Sequence, residues 1–242
     1  MMRKRAMLLG LLGAFSIQGQ DGPRQSFETS TGERIPIRPG GTIRLEHSYG
    51  YLTVEGWDEP DGEVSLAKST DRFYQPSQKG EAEKRFGQVN VATQKPSDGD
   101  VTIATNVAVP RNFVKSAIRA GETVITLGMR PRDKRGVSLD YTVHVPRDAN
   151  VVIHQDSGYV WVSDITGNIE VHSHTGDMIV QLPEAGRSSI DARTRLGSIT
   201  SDLPGRKTNQ LLVGTGFASP SAGSAQQVHL RMGRGSITIW RN

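Results

Sequence analysis

The 242-residue sequence predicts an all-β protein in which short strands stack on one another. Residues 157–183 contain a nine-residue unit three times in succession, as SGYVWVSDI, TGNIEVHSH and TGDMIVQLP. Each unit opens with serine or threonine followed by glycine, and apolar residues stand two and four positions after the glycine. Side chains two positions apart share one face of a strand, so each unit has one apolar face to bury. A short fixed period of this kind is typical of stacked β architectures.

The composition agrees with many short strands joined by tight glycine turns. The chain has 27 glycines and 6% aromatic residues, and its valine, isoleucine and threonine residues occur in short runs. Nine residues hold one short strand and a turn, since a strand rises about 3.3 Å per residue, and two units would form one coil. The same spacing fits an antiparallel β-sandwich or meander, and this alternative stays open.

Residues 1–20 are predicted to be a secretory signal peptide. Arg3, Lys4 and Arg5 precede an apolar run from 7 to 17, which includes a small-x-small cleavage pattern ending at Ser16. The run is too short to cross a bilayer, and no other segment approaches a spanning length. We therefore expect a chain without a transmembrane segment that is exported to the periplasm, the cell surface or the extracellular space.

Charge, cysteine content and motifs argue against several classes of protein. The formal net charge of +4 falls to +1 without the three basic residues of the signal peptide, so no nucleic-acid partner is expected. The chain has no cysteine, which excludes disulfides, thiolate metal sites and a lipoprotein-type anchor. The sequence contains neither a nucleophile elbow nor a phosphate-binding glycine loop. We expect no enzymatic activity and no cofactor.

Behind the signal peptide, the sequence divides into three parts. Residues 21–40 form a polar N-terminal segment, residues 41–146 an N-terminal β-rich part, and residues 147–242 a C-terminal β-repeat part with a loop-like insertion at 204–227. The N-terminal part contains the glycine-led pattern twice, nine residues apart. Its predicted inward residues are Ile43, Leu45, Leu52 and Val54.

The remaining strands are predicted where apolar and polar residues alternate, and the helices where they do not. Strands are predicted at 63–70, 88–93, 100–105, 123–127 and 137–146, a short surface helix at 77–86, and an irregular stretch or short helix at 111–121. The helix prediction rests on the good helix formers at 81–85. Residues 228–232 and 235–240 are predicted to close the stack, with Trp240 capping its open end.

Several of these segments resemble bacterial envelope proteins known as putative adhesins with β-strand repeats. The matching segments are GTIRL at 41–45, GYLTVEGWD at 50–58, LDYTVHVP at 139–146, SGYVWV at 157–162 and GNIEV at 167–171. The resemblance implies a right-handed β-solenoid-like stack, an exported location and no assigned enzymatic activity. The expected function is a structural or adhesion and interaction module of the cell envelope. The insertion at 204–227 departs from the family pattern.

The outward positions of the repeat supply two candidate sites. His172 and His174 stand two residues apart with Glu170 on the same strand face, and together they could bind zinc or copper. Solvent-facing polar residues are the alternative interpretation. Tyr159 and Trp161 share the outward face of the first unit and are the candidate ligand-binding residues. They support the alternative function, a carbohydrate-binding or polysaccharide-acting envelope protein that uses an exposed sheet face.

Two charged segments are weaker candidates for a binding site. The acidic residues between Glu55 and Glu63 offer oxygen ligands for calcium, but their spacing matches no calcium loop and favours a solvated turn. Seven basic residues between Arg111 and Arg135 could face an anionic envelope polymer, or could simply keep a sheet edge unpaired. The partner is thus expected to be an unidentified envelope component or polysaccharide.

Overall fold

The computed structural model describes residues 22–94, 101–107, 115–119, 122–126, 136–183, 187–210, 214–219, 223 and 226–242. The predicted signal peptide, residues 1–20, lies outside these ranges. A 3-10 helix at Pro76–Gln78 leads into α1 (Lys79–Phe86), which confirms the predicted helix. The strands are β1 (Glu28–Pro36), β2 (Thr42–Trp57), β3 (Asp61–Thr70), β4 (Val89–Gln94), β5 (Val101–Val107), β6 (Lys115–Arg119), β7 (Glu122–Thr126), β8 (Val137–Pro146), β9 (Asn150–Ser163), β10 (Ile169–Leu182), β11 (Ser188–Leu196), β12 (Ile199–Ser201), β13 (Arg206–Gln210), β14 (Gly214–Ser219) and β15 (Gln226–Arg241).

Thirteen of these strands form one sheet that does not close on itself, and the all-β prediction is confirmed. The strand order is β1-β3-β8-β2-β9-β10-β15-β11-β14-β13, with β12 beside β15, β5 beside β2 and β4 beside β5. The hairpin of β6 and β7 makes a separate two-stranded sheet. Strands of the predicted N-terminal and C-terminal parts share the large sheet, because β2 pairs with β9. The boundaries proposed for the two parts stay a prediction.

The centre of the sheet is parallel and its margins are antiparallel. β2, β9, β10, β15 and β11 pair in parallel in that order, while β3 with β8 and β11 with β14 pair in antiparallel fashion. Val151 of β9 lies opposite Ile169 of β10, which is an offset of 18 residues. This offset equals two of the nine-residue units found in the sequence.

The C-terminal strand interrupts the order that the repeat predicts. β15 lies between β10 and β11 and pairs in parallel with both. Trp240 is therefore in the interior of the sheet, and the prediction that it caps an open end is wrong. The error has a physical cause, since alternation fixes which face of a strand is buried but does not fix which strands are neighbours.

The central strands are long and bent rather than short and separated by turns. In β9 the buried residues Val151 and Ile153 precede Gly158, whereas Val160 and Val162 follow it, so the buried positions change from odd to even. Gly158 has φ 125°, a conformation that residues with a Cβ avoid. We call the part of each central strand before its glycine the first arm and the part after it the second arm.

The bends of neighbouring strands are aligned. Gly50, Gly158, Gly176 and Gly235 lie opposite one another on β2, β9, β10 and β15. A Cβ added to Gly176 would lie 1.7 Å from the carbonyl oxygen of Gly158, so the backbones approach too closely for any side chain. The middle glycine of the repeat, Gly167, lies instead between β9 and β10. The three units are thus not three equivalent strands, as the sequence predicts, but parts of two bent ones.

The inward residues predicted from alternation are confirmed. Both arms contribute to one hydrophobic cluster, and Val171, Met178 and Val180 of β10 are all fully buried in it. The predicted inward residues of β2 and β8 are buried as well.

At the bend, the side-chain amide of Gln155 donates to the backbone oxygens of Gly50 (3.0 Å) and Ser157 (2.9 Å). This buried amide ties β2 to β9 where both strands change direction.

Two loop predictions are wrong. The insertion at 204–227 contains the hairpin of β13 and β14, which extends the sheet beyond β11. The irregular stretch or helix predicted at 111–121 contains β6, which pairs with β7, and its other residues lie outside the described ranges. The residues of the β13–β14 hairpin show little apolar alternation; β14 pairs with β11, and its Phe217 is buried.

Acidification is expected to destabilise the fold through His47. This histidine is 5% exposed, and its ring meets that of Tyr141 edge-on with centroids 4.6 Å apart. Burial lowers the pKa of His47 from 6.5 to about 3. In the unfolded chain His47 takes up a proton near pH 6.5, whereas in the folded chain it stays neutral at that pH. The folded state therefore loses stability as the pH falls below 6.5. Between pH 7 and pH 5 this histidine should lower the free energy of unfolding by about 2 kcal/mol.

Urea unfolding of the natural chain and of His47→Gln, each at pH 7 and pH 5, measures this contribution. The natural chain should lose about 2 kcal/mol more than the variant over that interval. Equal losses in the two proteins would contradict the assignment. Because the two proteins share every other titrating group, the comparison cancels most opposing contributions, including that of His154, whose pKa is raised by its hydrogen bond to Glu46.

Candidate functional site

The outer surface of the first arms carries a row of charged and imidazole side chains. Outward residues at matched positions of parallel strands lie side by side, so the register aligns them across the sheet. In the order β2, β9, β10, β15 and β11 the row consists of Glu46, His154, His172, Arg231 and Arg193. Each of the five strands is remote in sequence from at least one of its neighbours in the row.

His154 is held by a carboxylate of the next strand. Its Nδ1 lies 2.9 Å from an oxygen of Glu46, and both side chains are partly buried. The hydrogen bond to Glu46 raises the pKa of His154, although partial burial opposes the change. With Nδ1 engaged by Glu46, the other ring nitrogen, Nε2, is left for a different partner.

Glu170 and His172 complete a compact group with His154. Nε2 of His172 lies 3.0 Å from Oε1 of Glu170, and the rings of His154 and His172 meet edge-on with centroids 5.3 Å apart. One potential ligand atom from each of the three residues lies within 4.8 Å of the other two. Across the part of the chain that the structure describes, this is the one such group of three or more histidine, aspartate or glutamate residues.

The group differs from the one that the sequence predicts. Glu170 and His172 belong to it, but His154 takes the place of His174. The ladder between β10 and β15 passes from Ser173 directly to Thr175, so His174 lies at the bend and outside the regular row. A signal for His154 does exist in the sequence, because it precedes His172 by the same 18 residues that separate β9 from β10 in register.

The outer surface of the second arms carries aromatic side chains. Tyr159 lies opposite Tyr51 of β2, with ring centroids 6.1 Å apart, and Trp161 meets Trp240 of β15 edge-on at 5.7 Å. Tyr159 and Trp161 are half-buried and share the outward face, and Tyr51 is 59% exposed. The two residues predicted from sequence are thus each paired with an aromatic residue of another strand.

The acidic residues between Glu55 and Glu63 do not converge on a common point. Three of them pair individually with cationic or imidazole side chains: Asp58 with Arg147 at 2.8 Å, Glu55 with His144 at 3.6 Å, and Glu63 with Arg34 at 3.6 Å. These pairs favour the interpretation of this segment as a charged turn. The basic patch predicted between Arg111 and Arg135 lies outside the residues whose side chains the structure describes.

An open groove of about 310 Å³ lies between β11 and the β13–β14 hairpin. Its charged residues are paired, since Asp191 lies 2.5 Å from Arg231 and 3.2 Å from Arg193. Partial burial acts to raise the pKa of Asp191, but Arg231 and Arg193 outweigh it and lower the pKa below its ordinary value. The two charged residues that line the groove, Asp191 and Arg193, are therefore already paired.

Among the described residues, no helix combines the length and the apolar composition needed to cross a membrane. No protein-family model and no curated protein matches the chain. A solved structure of a putative cell adhesion protein from Clostridium sporogenes is 12% identical, and the match covers 88% of this chain and 100% of that chain with a TM-score of 0.46.

Two further solved structures are similar over the same share of the chain. A putative adhesin from Bacteroides fragilis is 10% identical, with 88% of this chain and 97% of that chain covered and a TM-score of 0.25. A putative lipid binding protein from Parabacteroides distasonis is 10% identical, with 88% and 96% covered and a TM-score of 0.25. None of these TM-scores reaches 0.5, so function has to be inferred from the outer surfaces of the sheet.

Proposed function

We propose that this chain is an exported, non-enzymatic β-repeat protein that serves as a structural or adhesion module of the bacterial cell envelope. The observation that supports this function is the aromatic surface of the second arms, formed by Tyr51, Tyr159, Trp161 and Trp240. Aromatic side chains that lie outward on a rigid sheet lose little conformational freedom on binding and dominate the energetics of many interfaces.

The fold proposed for this module is a right-handed, β-solenoid-like stack. The 18-residue offset between β9 and β10 supports one turn of a right-handed, solenoid-like stack. The parallel neighbours β2 and β15 then extend this turn on both sides, although they come from distant parts of the sequence. In this interpretation the aligned glycines allow each coil to bend around the shared core.

A second candidate function is carbohydrate binding on the aromatic surface. Sugar rings have apolar faces of C–H groups, which pack well on aromatic rings whose hydroxyl or indole groups can also form hydrogen bonds. Tyr159 provides such a ring beside the carboxylate of Asp177. Tyr51 continues the surface on the neighbouring strand. An envelope polysaccharide is therefore the partner that this surface fits best.

Binding of the full chain to immobilised envelope polysaccharides tests both candidates. Peptidoglycan, lipopolysaccharide and capsular polymer serve as probes, and the double variant Tyr159→Ala/Trp161→Ala is compared with the natural chain. Loss of two aromatic contacts should weaken binding at least about tenfold, because every 1.4 kcal/mol corresponds to a factor of ten. Cleavage of the polymer during the assay would instead favour the polysaccharide-acting alternative.

Phe73→Ala is the matched control, because Phe73 is an aromatic residue that is 68% exposed outside the aromatic surface. It should bind as the natural chain does. Equal weakening by Phe73→Ala, or unchanged binding by the double variant, would remove the aromatic surface from the proposal. If the natural chain captures no envelope polymer or other envelope component, the proposed function itself is wrong.

A further inference from the structure

We propose that His154, Glu170 and His172 form a binding site for a divalent transition metal, with zinc as the ion that fits best. The site lies on the outer surface of the first arms and does not depend on the function proposed for the aromatic surface. Two imidazoles and one carboxylate are a ligand set that zinc accepts in open sites, where water fills the fourth tetrahedral position. No thiolate is needed, in agreement with a chain that has no cysteine.

The distances between the ligand atoms suit a shared ion. Zinc binds nitrogen and oxygen at about 2.0–2.2 Å, so two ligand atoms of a tetrahedral site lie roughly 3.3 Å apart. Nε2 of His172 and Oε1 of Glu170 are already 3.0 Å apart. One potential ligand atom of His154 lies within 4.8 Å of one such atom from each of the other two residues. These side chains are partly exposed, so their side-chain torsions can adjust when an ion binds.

Glu46 acts as a positioning residue for this site. Its carboxylate holds Nδ1 of His154 at 2.9 Å, which orients the ring and leaves Nε2 as the ligand atom. Metal-binding histidines almost always donate their second N–H to a carboxylate, a carbonyl or water, and these partners raise the basicity of the ligand. A surface ion pair needs only two partners. Here Glu46, His154, His172 and Glu170 form one connected series of side-chain contacts.

One neighbouring cation, Arg231, is already paired with a carboxylate. Arg231 lies next to His172 in register on β15. Its guanidinium is turned toward β11, where it donates to the carboxylate of Asp191 at 2.5 Å and to the backbone oxygen of Asp191 at 2.7 Å. This pairing compensates the charge of Arg231. The carboxylates of Glu46 and Glu170 then provide the negative charge that a divalent ion needs.

Isothermal titration of zinc chloride into the full chain, freed of metal with a chelator, tests the site. We expect one zinc ion per chain. His154→Ala and His172→Ala should abolish this binding, and Glu46→Gln should weaken it by about 10–100-fold while leaving the stoichiometry unchanged. Cobalt absorption spectra of the natural chain supply a second readout, since tetrahedral nitrogen and oxygen coordination gives intense visible bands, whereas the octahedral ion in water absorbs only weakly.

His174→Ala is the matched control, because His174 is an exposed histidine of the same strand that the structure leaves outside the group. It should bind zinc within about twofold of the natural chain, well under the 10–100-fold loss expected for Glu46→Gln. Melting temperatures without zinc check that all four variants fold. Three outcomes would overturn the proposal: no zinc binding by the natural chain, retained binding by His154→Ala, or loss of binding in His174→Ala. An effect of Glu46→Gln no larger than that of His174→Ala would remove Glu46 from the site.

Discussion

Val171→Asp is expected to prevent the chain from folding cooperatively. Val171, near the start of β10, is fully buried between two parallel strands. The substitution removes about 1.5–3 kcal/mol of apolar burial, and the unpaired carboxylate adds several kcal/mol for its loss of water. The sum approaches the whole stability of a typical domain, which is about 5–15 kcal/mol. Thermal unfolding followed by circular dichroism measures the result.

Ile179→Asp is the control for Val171→Asp. Ile179 belongs to the same strand, but it is half-buried on the outer surface, where a carboxylate keeps much of its hydration. We expect a loss of at most about 2 kcal/mol, or roughly 4–8 °C in melting temperature for a chain of this size. A Val171→Asp protein that melts as Ile179→Asp does would show that the inward face of β10 has been assigned wrongly.

Gly176→Ala is the second substitution with a large expected effect. Gly176 has φ 134°, and an added Cβ would lie 1.7 Å from the carbonyl oxygen of Gly158. The backbone conformation alone costs about 1–3 kcal/mol for a residue with a side chain. The clash with a neighbouring backbone adds to this cost, because β9 and β10 would have to separate at the bend. We expect a total loss of at least about 3 kcal/mol in urea unfolding.

Two other glycines separate the causes of this loss. Gly80→Ala in α1 meets nothing within 4 Å and should stabilise the chain by about 0.5–1 kcal/mol, as alanine does in a helix. Gly40 has φ 66° and also meets nothing within 4 Å, so Gly40→Ala reports the cost of a left-handed helical backbone conformation without a clash. If Gly176→Ala costs no more than Gly40→Ala, the close packing of the aligned bends does not contribute to stability.

The secondary structure and the core could be predicted from the sequence because both depend on local alternation. Residues such as Ile43, Val160 and Met178 show by their spacing which side of a strand is apolar, and all three are buried. The same reasoning predicts the outward face of Tyr159 and Trp161. It also predicts α1, where polar helix formers replace the alternation.

The neighbours of each strand could not be predicted in the same way. Alternation looks the same whether β10 is followed in space by β11 or by β15, and only long-range pairing decides between them. For this reason the sequence does not place Trp240 against Trp161. His154 is a partial exception, because the 18-residue offset to His172 is visible once the register of β9 and β10 is known.

Both candidate sites depend on this register. The metal site needs β9 beside β10, and the aromatic surface needs β2 beside β9 and β15 within reach of β9 across β10. A shift of one residue in any of these pairs would turn the outward side chains toward the core. The aligned glycines oppose such a shift, because only glycine fits where the bends meet.

Disulfide formation in engineered cysteine pairs tests the strand order most directly, since the natural chain has no cysteine. Ile179 of β10 lies opposite Thr238 of β15, and Thr238 lies opposite Thr200 of β12. Neighbouring strands are about 4.8 Å apart and suit a disulfide, whereas strands separated by a third are about 9.6 Å apart and do not. Ile179→Cys/Thr238→Cys should therefore oxidise to a cross-linked chain and Ile179→Cys/Thr200→Cys should not. Cross-linking of the second pair but not the first would contradict the placement of β15 and, with it, the composition of the aromatic surface.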